Sequence, residues 1–286
     1  MTSAPVGVIA GSGDLPAIVA RKLREKGKKI VVCSITPDQN GELENKADVY
    51  FSISPSEFGE VPGRLRSHGV KKLLMVGDVD KTQIYNQRKI EEADDTVKDE
   101  LKQLKNKGDQ KIIQVAARLL RLKGLKVIGV NEVLEEYLTP IGHVAGPEVR
   151  EEELLTLDIL ENIAIKLADH EVGQAVIGKK QSVVAVEAAE GTDRLIRRAG
   201  ELAGNNCVML KLARSNQDSR FDVPVVGKET LEELAKIDAS VLALEAGETL
   251  LVQPEECARI AEESGICILG WERKNRGWRR IFQWLK

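Results

Sequence analysis

The feature that most constrains the fold is a regular alternation of short apolar runs with helix-like segments along the first half of the chain. The runs are typical of buried strands and lie at Val6–Ala10, 29–33, 48–53, Lys72–Val76 and 126–130. Helical patterns separate them at about 15–26, 57–68 and 110–122. Because strands alternating with helices are joined by right-handed crossovers, this order predicts a parallel sheet in a Rossmann-like layout.

The second half of the chain follows a different pattern. Residues 174–178 and 182–187 predict two strands joined as a hairpin, so antiparallel pairing enters this region. Further strands are predicted at 207–212, 240–244 and 266–270, and helices at 151–167, 192–202, 230–237 and 254–263. Pro140 and Gly142 together are typical of a domain boundary. We therefore predict an α/β protein with a Rossmann-like N-terminal domain, residues 1–134, and a distinct mixed α/β C-terminal domain, residues 135–286.

Composition excludes several classes of protein. A chain of 286 residues has room for two ordinary domains, and its net charge of -3 argues against a nucleic-acid-binding surface. The four cysteines form no CxxC pair and adjoin apolar runs, which predicts buried reduced thiols. His68, His143 and His170 have no partner at zinc-ligand spacing, so we expect surface histidines. Neither an export signal nor an apolar stretch of about 20 residues is present, so we expect a cytoplasmic protein.

A glycine turn follows the first predicted strand. Gly11, Ser12 and Gly13 lie where a strand passes into a helix, where glycines permit close approach of a phosphate to backbone N–H groups. Pro16 stands where the third glycine of a dinucleotide-binding motif belongs, and no acidic residue ends the second strand. An NAD(P)-dependent oxidoreductase is therefore the least favoured reading. Asp14 suits the N-cap of the following helix.

A second glycine turn follows the strand Lys72–Val76. Gly77 and Asp78 lie at its carboxyl end, and in open α/β sheets these ends line the ligand crevice. Two interpretations remain open. The two residues contact the same ligand as the first glycine turn, or they form a simple strand-to-helix turn.

Two acidic clusters end strands of the second half. The first spans residues 187–193 and contains Glu190, Thr192 and Asp193 at a strand-to-helix junction. It predicts either contact with phosphate or metal at the helix start, or helix capping by Thr192 or Asp193 with a turn at Gly191. The second cluster contains Glu245 at the end of a buried strand, as a ligand or as a hairpin residue.

The segment 217–222 concentrates the groups that phosphoryl chemistry requires. Asp218 and Asp222 offer hard oxygen ligands for a divalent cation, and Arg220 offers a bidentate donor to phosphate oxygens. Gln217 adds an amide to the same loop. A cation and guanidinium groups neutralise the charge that develops during phosphoryl transfer. The alternative is a surface loop of ion pairs.

These segments together resemble the LpxI family, the UDP-2,3-diacylglucosamine pyrophosphatases of lipid A biosynthesis. The resemblance follows the order of the sequence from 7–16 through Gly77-Asp-Val, 172–176, 186–193, 217–227 and Glu245-Ala-Gly. Its most specific parts are Glu-Gly-Thr-Asp and Gln-Asp-x-Arg-x-Asp-x-Pro. Two departures are Arg214-Ser215, where the family usually has Lys-Pro, and residues 146–150, which differ from a usual Pro-Thr pattern.

The resemblance implies an activity and a set of site residues. It implies Mg²⁺-dependent hydrolysis of UDP-2,3-diacylglucosamine to UMP and 2,3-diacylglucosamine 1-phosphate (lipid X), catalysed in the C-terminal domain. The essential aspartate falls on Asp222. From the chemistry of the loop itself, we expect Asp222 to bind Mg²⁺ or to orient the attacking water, with Asp218 assisting at the metal and Arg220 steadying phosphate. We also expect substrate contacts at the glycine turns, the two acidic clusters and Gln217. The resemblance also implies a homodimer. The alternative is a non-catalytic UDP-sugar or lipid-binding protein.

The C-terminal segment predicts a short basic amphipathic helix. Trp278, Ile281, Phe282 and Leu285 fall on one helical face, with Arg279 and Arg280 off it. Such a helix suits contact with the cytoplasmic face of the inner membrane. The alternative is docking on the protein's own core or on a dimer mate.

Overall fold

The structure is a computed structural model that describes residues 4–36, 41–77, 109–214 and 223–273. Its contacts fall into two compact units. Among the described residues, the first unit extends to Leu134 and the second begins at Glu135. Each unit has its own sheet and core.

The first unit is a five-stranded parallel sheet in the order β3-β2-β1-β4-β5. Its strands are β1 (Val6–Ala10), β2 (Ile30–Ser34), β3 (Val49–Ser52), β4 (Lys72–Val76) and β5 (Lys126–Val127). Its helices are α1 (Leu15–Glu25), α2 (Glu42–Lys46), α3 (Val61–Ser67) and α4 (Asp109–Leu122), with 3-10 turns at Pro55–Glu60 and Val130–Glu132. The strand order reverses between β1 and β4. Such a switch point is where open α/β sheets bind ligands.

The sheet of the first unit forms because its strands are nearly continuous β-branched and apolar runs. Every residue of β1 and β2 is buried, as expected for strands covered on both faces. Ile9, Leu65, Leu73 and Leu120 meet in one core cluster. β1 and β4 occupy the predicted ranges residue for residue, so the Rossmann-like parallel sheet is confirmed.

Two predicted elements of the first unit differ in the structure. The helix predicted over 57–68 is a 3-10 turn followed by α3, which begins at Val61. Pro62 explains this start, because proline fits only the first turn of an α-helix, where its missing N–H is not needed. The strand predicted over 126–130 ends at Val127, because a 3-10 turn begins at Val130.

The second unit is built on a six-stranded mixed sheet in the order β6-β13-β11-β9-β7-β8. The strands are β6 (Gly142–Ala145), β7 (Ala175–Lys179), β8 (Ser182–Val186), β9 (Val208–Lys211), β11 (Val241–Glu245) and β13 (Cys267–Trp271). β9, β11 and β13 are parallel, whereas β6 pairs antiparallel with β13 and β7 antiparallel with β8 and β9. A separate parallel pair joins β10 (Val225–Val226) to β12 (Leu250–Leu251). The mixed α/β prediction for this half is confirmed.

Helices cover both faces of the second sheet. They are α5 (Glu151–Asp169), α6 (Thr192–Ala203), α7 (Lys228–Lys236) and α8 (Pro254–Ser264), with a 3-10 turn at Glu135–Tyr137. Leu157 and Leu160 of α5 pack with Leu210 on one face. Met209, the neighbouring residue of β9, packs instead with side chains of α6, α7 and α8 on the other face. The alternation of side chains along β9 thus places the sheet between two helical layers.

The cysteine and histidine predictions are confirmed. All four thiols are free and buried. Burial raises the pKa of Cys33 and Cys257 to about 12 and that of Cys267 to about 11. His68, His143 and His170 are exposed. Across the described part of the chain, no helix combines the length and hydropathy needed to cross a membrane.

Candidate functional site

The first candidate site is the pair of glycine turns at the switch point of the first unit. The Gly11 N–H donates to the Val76 carbonyl oxygen at 2.7 Å, which fixes one turn against the other. A Cβ atom added to Gly77 would lie 2.6 Å from the Ser12 carbonyl oxygen and 2.9 Å from Pro16 Cγ. The two turns therefore touch, and Gly77 is required by this close backbone approach as well as by its φ of +91°.

The start of α1 completes this turn. Asp14 occupies the N-cap position, and its carbonyl oxygen accepts the Ile18 N–H at 3.1 Å. Its side chain makes no capping hydrogen bond, so capping by the Asp14 carboxylate is wrong. Gly13 has a φ of +90°, and a Cβ atom added there would meet nothing within 4 Å. Gly13 therefore serves the turn through backbone conformation alone. That these turns bind phosphate stays a prediction.

The second candidate site is the carboxyl edge of the second sheet. β9, β11 and β13 are parallel, so Lys211, Glu245 and Trp271 end at the same edge. β8 also runs in this direction, because β7 lies antiparallel between it and β9. Glu187 follows β8 and therefore joins this edge. Arg214 is the last described residue before the segment 217–222, three residues beyond the end of β9.

Glu187 is the best-anchored carboxylate of this edge. Its side chain is almost fully buried. Its Oε2 accepts the N–H groups of Gln174 at 2.9 Å and Ala175 at 3.0 Å, and its Oε1 accepts the Thr192 hydroxyl at 2.6 Å. Gly173 permits this approach, since a Cβ atom there would lie 2.2 Å from the Glu187 carbonyl oxygen. Glu187 thus ties β8 to the start of β7 and to the start of α6.

Thr192 links Glu187 to a buried lysine. Lys211 Nζ donates to Thr192 Oγ1 at 3.1 Å, while Thr192 donates its own hydrogen to Glu187. The N-cap of α6 is Gly191, with a φ of +82° and no side-chain capping bond. Capping of α6 by the side chain of Thr192 or Asp193 is therefore wrong, because Glu187 and Lys211 engage the Thr192 hydroxyl instead. The predicted turn at Gly191 is confirmed.

The remaining acids of the first cluster face outward. Glu190 Oε1 accepts Arg198 at 2.6 Å, and its Oε2 accepts the Ala188 N–H at 3.2 Å. A hydrogen bond with its own backbone and the Arg198 guanidinium hold the pKa of Glu190 below its usual range. Asp193 is exposed in the first turn of α6, where its negative charge interacts favourably with the positive end of the helix dipole. Neither residue shares the buried network of Glu187.

Glu245 anchors the exit of β9. Its side chain is 1% exposed, and Oε2 accepts the Ala213 N–H at 2.8 Å. Its carbonyl oxygen accepts the N–H groups of Glu248 and Thr249. The carboxylate therefore fixes the chain immediately before Arg214. This contact gives Glu245 a structural role, and its contact with substrate stays a prediction.

The described residues do not by themselves supply a metal site. Across 4–36, 41–77, 109–214 and 223–273, no group of three or more His, Cys, Asp or Glu side chains is placed to bind a metal ion. Glu187 uses both carboxylate oxygens on N–H and hydroxyl donors. The predicted ligands Asp218 and Asp222 lie outside the described residues, as do Asp78, Gln217 and Arg220 and the C-terminal segment 274–286.

The sequence places Lys211 at the start of the charged loop that ends near Gly227 but assigns it no individual role, whereas the structure places it inside the network. Its side chain is 8% exposed at the end of an otherwise apolar strand. The signal was present in the sequence, because a lysine within a run predicted to be a buried strand requires a partner. One such partner, Thr192, lies 19 residues away and becomes visible only in the fold.

Comparison with known proteins gives family matches for both halves of the chain. The LpxI N-terminal domain matches residues 5–137, and the LpxI C-terminal domain matches residues 140–269. A relative, the UDP-2,3-diacylglucosamine pyrophosphatase LpxI of Caulobacter vibrioides, is 25% identical over 279 residues. That alignment covers 95% of this chain and 99% of the relative.

Solved structures give only weak matches. The biotin carboxylase domain of 2-oxoglutarate carboxylase from Hydrogenobacter thermophilus is 12% identical, with a TM-score of 0.27 over 70% of this chain and 42% of that chain. N5-carboxyaminoimidazole synthetase from Staphylococcus aureus is 14% identical, with a TM-score of 0.25 over 70% of this chain and 44% of that chain. This chain thus spans less than half of either structure, and scores this low support no conclusion.

Proposed function

Because the chain belongs to the LpxI family, we propose that it is a hydrolase of UDP-2,3-diacylglucosamine in lipid A biosynthesis. Water adds to one phosphorus of the pyrophosphate, the bond from that phosphorus to the bridging oxygen breaks, and the water proton is released. The products are UMP and 2,3-diacylglucosamine 1-phosphate. The observation that supports the proposal is the match of both LpxI domains, in order, over residues 5–137 and 140–269.

The segment 217–222 is proposed as the chemical centre. We assign Asp222 as the essential carboxylate, Asp218 as its partner in binding Mg²⁺, and Arg220 as a donor to phosphate oxygens. When bound, Mg²⁺ would neutralise charge on the pyrophosphate, as hard divalent cations do on carboxylate ligands. Support comes from the chemistry of this loop and from its place in the sequence, where it begins six residues beyond the end of β9, a strand whose exit is fixed by Glu245.

The glycine turns of the first unit are proposed as a phosphate or uridine contact. Gly11, Ser12 and Gly13 lie at a strand-to-helix junction on the switch point, where backbone N–H groups at a helix start bind anions. Gly77 packs against them, and Asp78 follows it. In the second unit, we propose Glu190, Thr192, Asp193, Gln217 and Glu245 as substrate contacts.

The proposal is tested by product analysis. Wild-type protein is incubated with UDP-2,3-diacylglucosamine and Mg²⁺, with and without excess chelator, and UMP and the lipid phosphate are measured. We expect equimolar UMP and lipid phosphate with Mg²⁺ and none with chelator. Substrate bound but left intact would favour the alternative, a UDP-sugar or lipid-binding protein. Turnover that persists in chelator would overturn the Mg²⁺ assignment alone. A negative nicotinamide titration would eliminate an NAD(P)-dependent oxidoreductase.

We further propose a cytoplasmic homodimer that contacts the inner membrane through residues 277–286. The acylated substrate and product supply the reason for membrane contact, and a basic, tryptophan-bearing amphipathic segment suits an anionic bilayer surface. Deletion of 277–286 should reduce sedimentation with anionic liposomes and leave binding to neutral liposomes unchanged. Equal sedimentation of the deletion variant would contradict the membrane role. Light scattering measures the oligomeric state.

A further inference from the structure

We propose that Lys211 is a substrate-contacting cation, directed by Thr192 and Glu187, that stabilises negative charge on a phosphate of the substrate. The inference rests on the proposed function and deepens it by adding one residue to the site. Lys211 ends β9 at the carboxyl edge of the second sheet, and its side chain is 8% exposed. Carboxyl edges of parallel strands are where open α/β sheets bind ligands.

The hydrogen-bond network fixes which group donates and which accepts in the contact between Thr192 and Lys211. A carboxylate only accepts hydrogen bonds, so the Thr192 hydroxyl must donate its hydrogen to Glu187 Oε1 at 2.6 Å. The lone pairs of Thr192 Oγ1 then face Lys211 Nζ, which donates at 3.1 Å. Because the hydroxyl has a single hydrogen, this arrangement has one orientation. It holds the ammonium of Lys211 in a defined place.

Glu187 is suited to hold this arrangement rigidly. Its other oxygen accepts two backbone N–H groups at the start of β7, and its main chain contacts Gly173 closely. These contacts hold the carboxylate in one place, with a single hydroxyl between it and the ammonium of Lys211. An ammonium fixed in advance stabilises developing phosphate charge without reorganisation, which is the general source of electrostatic catalysis.

A purely structural lysine is available in the same domain for comparison. Lys179 ends β7, and its Nζ donates to the Ala203 carbonyl oxygen at 2.8 Å. Lys179 is thus hydrogen-bonded to the last residue of α6, whereas Lys211 is hydrogen-bonded to the first residue of that helix. Both lysines join a strand end to the same helix. This contact is to a backbone oxygen, and within the described part of the chain no carboxylate is hydrogen-bonded to Lys179.

The test compares Lys211→Met with Lys179→Met, using wild-type protein, UDP-2,3-diacylglucosamine and Mg²⁺. We expect Lys211→Met to lower kcat by about 10²-fold, the usual effect of removing one donor to a transition state, with a smaller change in KM. Lys179→Met should keep kcat within about twofold, the expectation for a residue without contact to substrate. Lys211→Arg should retain more activity than Lys211→Met, because it keeps a positive charge and hydrogen-bond donors at this position.

Two further variants keep the inference testable if Lys211→Met does not fold. Thr192→Val removes the hydroxyl at nearly constant volume, and Thr192→Ser keeps it. We expect kcat to fall in the first variant and to be largely restored in the second, with unchanged circular dichroism. Wild-type kcat in folded Lys211→Met, or in folded Thr192→Val, would overturn the inference while leaving the proposed function intact. A wild-type protein that releases no UMP would overturn the proposed function itself.

Discussion

Substitution of Gly77 by alanine tests the packing of the two glycine turns in the first unit. A Cβ atom at this position would lie 2.6 Å from the Ser12 carbonyl oxygen and 2.9 Å from the Gly11 carbonyl carbon. Both atoms belong to the backbone, so they cannot move aside as a flexible side chain would. Gly13 provides a matched control, because its φ of +90° equals that of Gly77 within a degree and its Cβ position is open.

The expected magnitudes follow from this difference. A non-glycine residue in a left-handed conformation costs about 1–2 kcal/mol, and both variants carry this cost. Lower backbone entropy of the unfolded chain returns about 0.4–1 kcal/mol in both. Only Gly77→Ala adds the steric overlap, which we take as about 1–3 kcal/mol. Gly77→Ala should therefore be less stable than Gly13→Ala by about 1–3 kcal/mol.

The assay is urea unfolding of both variants and of the wild type, followed by far-ultraviolet circular dichroism. Hydrogen exchange of peptides that cover β1 and β4 assigns the change to the first unit. In thermal unfolding, a difference of this size corresponds to roughly 4 °C for each kcal/mol in a domain of this length. Equal stability of Gly77→Ala and Gly13→Ala would refute the close contact between the two turns.

Two further predictions concern titratable groups. The Arg197 guanidinium and the Lys236 ammonium lower the pKa of Glu233 to about 2. The stability that this contact contributes is therefore present above the ordinary carboxyl pKa and is lost as pH falls toward 2. Carboxyl NMR should show Glu233 titrating at higher pH in Arg197→Met, and an unchanged titration midpoint would contradict the assignment. Burial raises the pKa of all four thiols. A thiol reagent at pH 8 should therefore react with almost no thiol in the native protein and with four thiols in denaturant. Fast reaction in the native protein would contradict the burial of the thiols.

The longer strands of both sheets could be predicted from the sequence, because each is an apolar run of the length that is typical of a buried strand. β1 and β4 are the clearest cases, since each is a short, mostly apolar run followed directly by a glycine. β6 was missed because it pairs on one side only, at the edge of the sheet, and contains Gly142 and the exposed His143. The pair of β10 and β12 was missed because two-residue strands carry no periodicity.

The candidate site was predictable only in part, for a physical reason. Motifs report which residues stand near one another in the sequence, so the glycine turns and the turn at Gly191 could be recognised locally. The partners of Thr192 could not, because Glu187 and Lys211 come from two different strands that meet only when the sheet forms. A threonine at a helix start predicts capping by default. In the structure, the Thr192 hydroxyl donates to the Glu187 carboxylate instead of capping the helix.

Turnover by Asp222→Ala tests the central claim most directly. The purified variant is compared with wild type and with Asp169→Ala, whose carboxylate is exposed at the last residue of α5. All three proteins are given UDP-2,3-diacylglucosamine and Mg²⁺, and folding is checked by circular dichroism. We expect wild type and Asp169→Ala to release UMP at similar rates and folded Asp222→Ala to lose nearly all turnover. UMP release by Asp222→Ala at a near-normal rate would contradict the assignment of the chemistry to this residue.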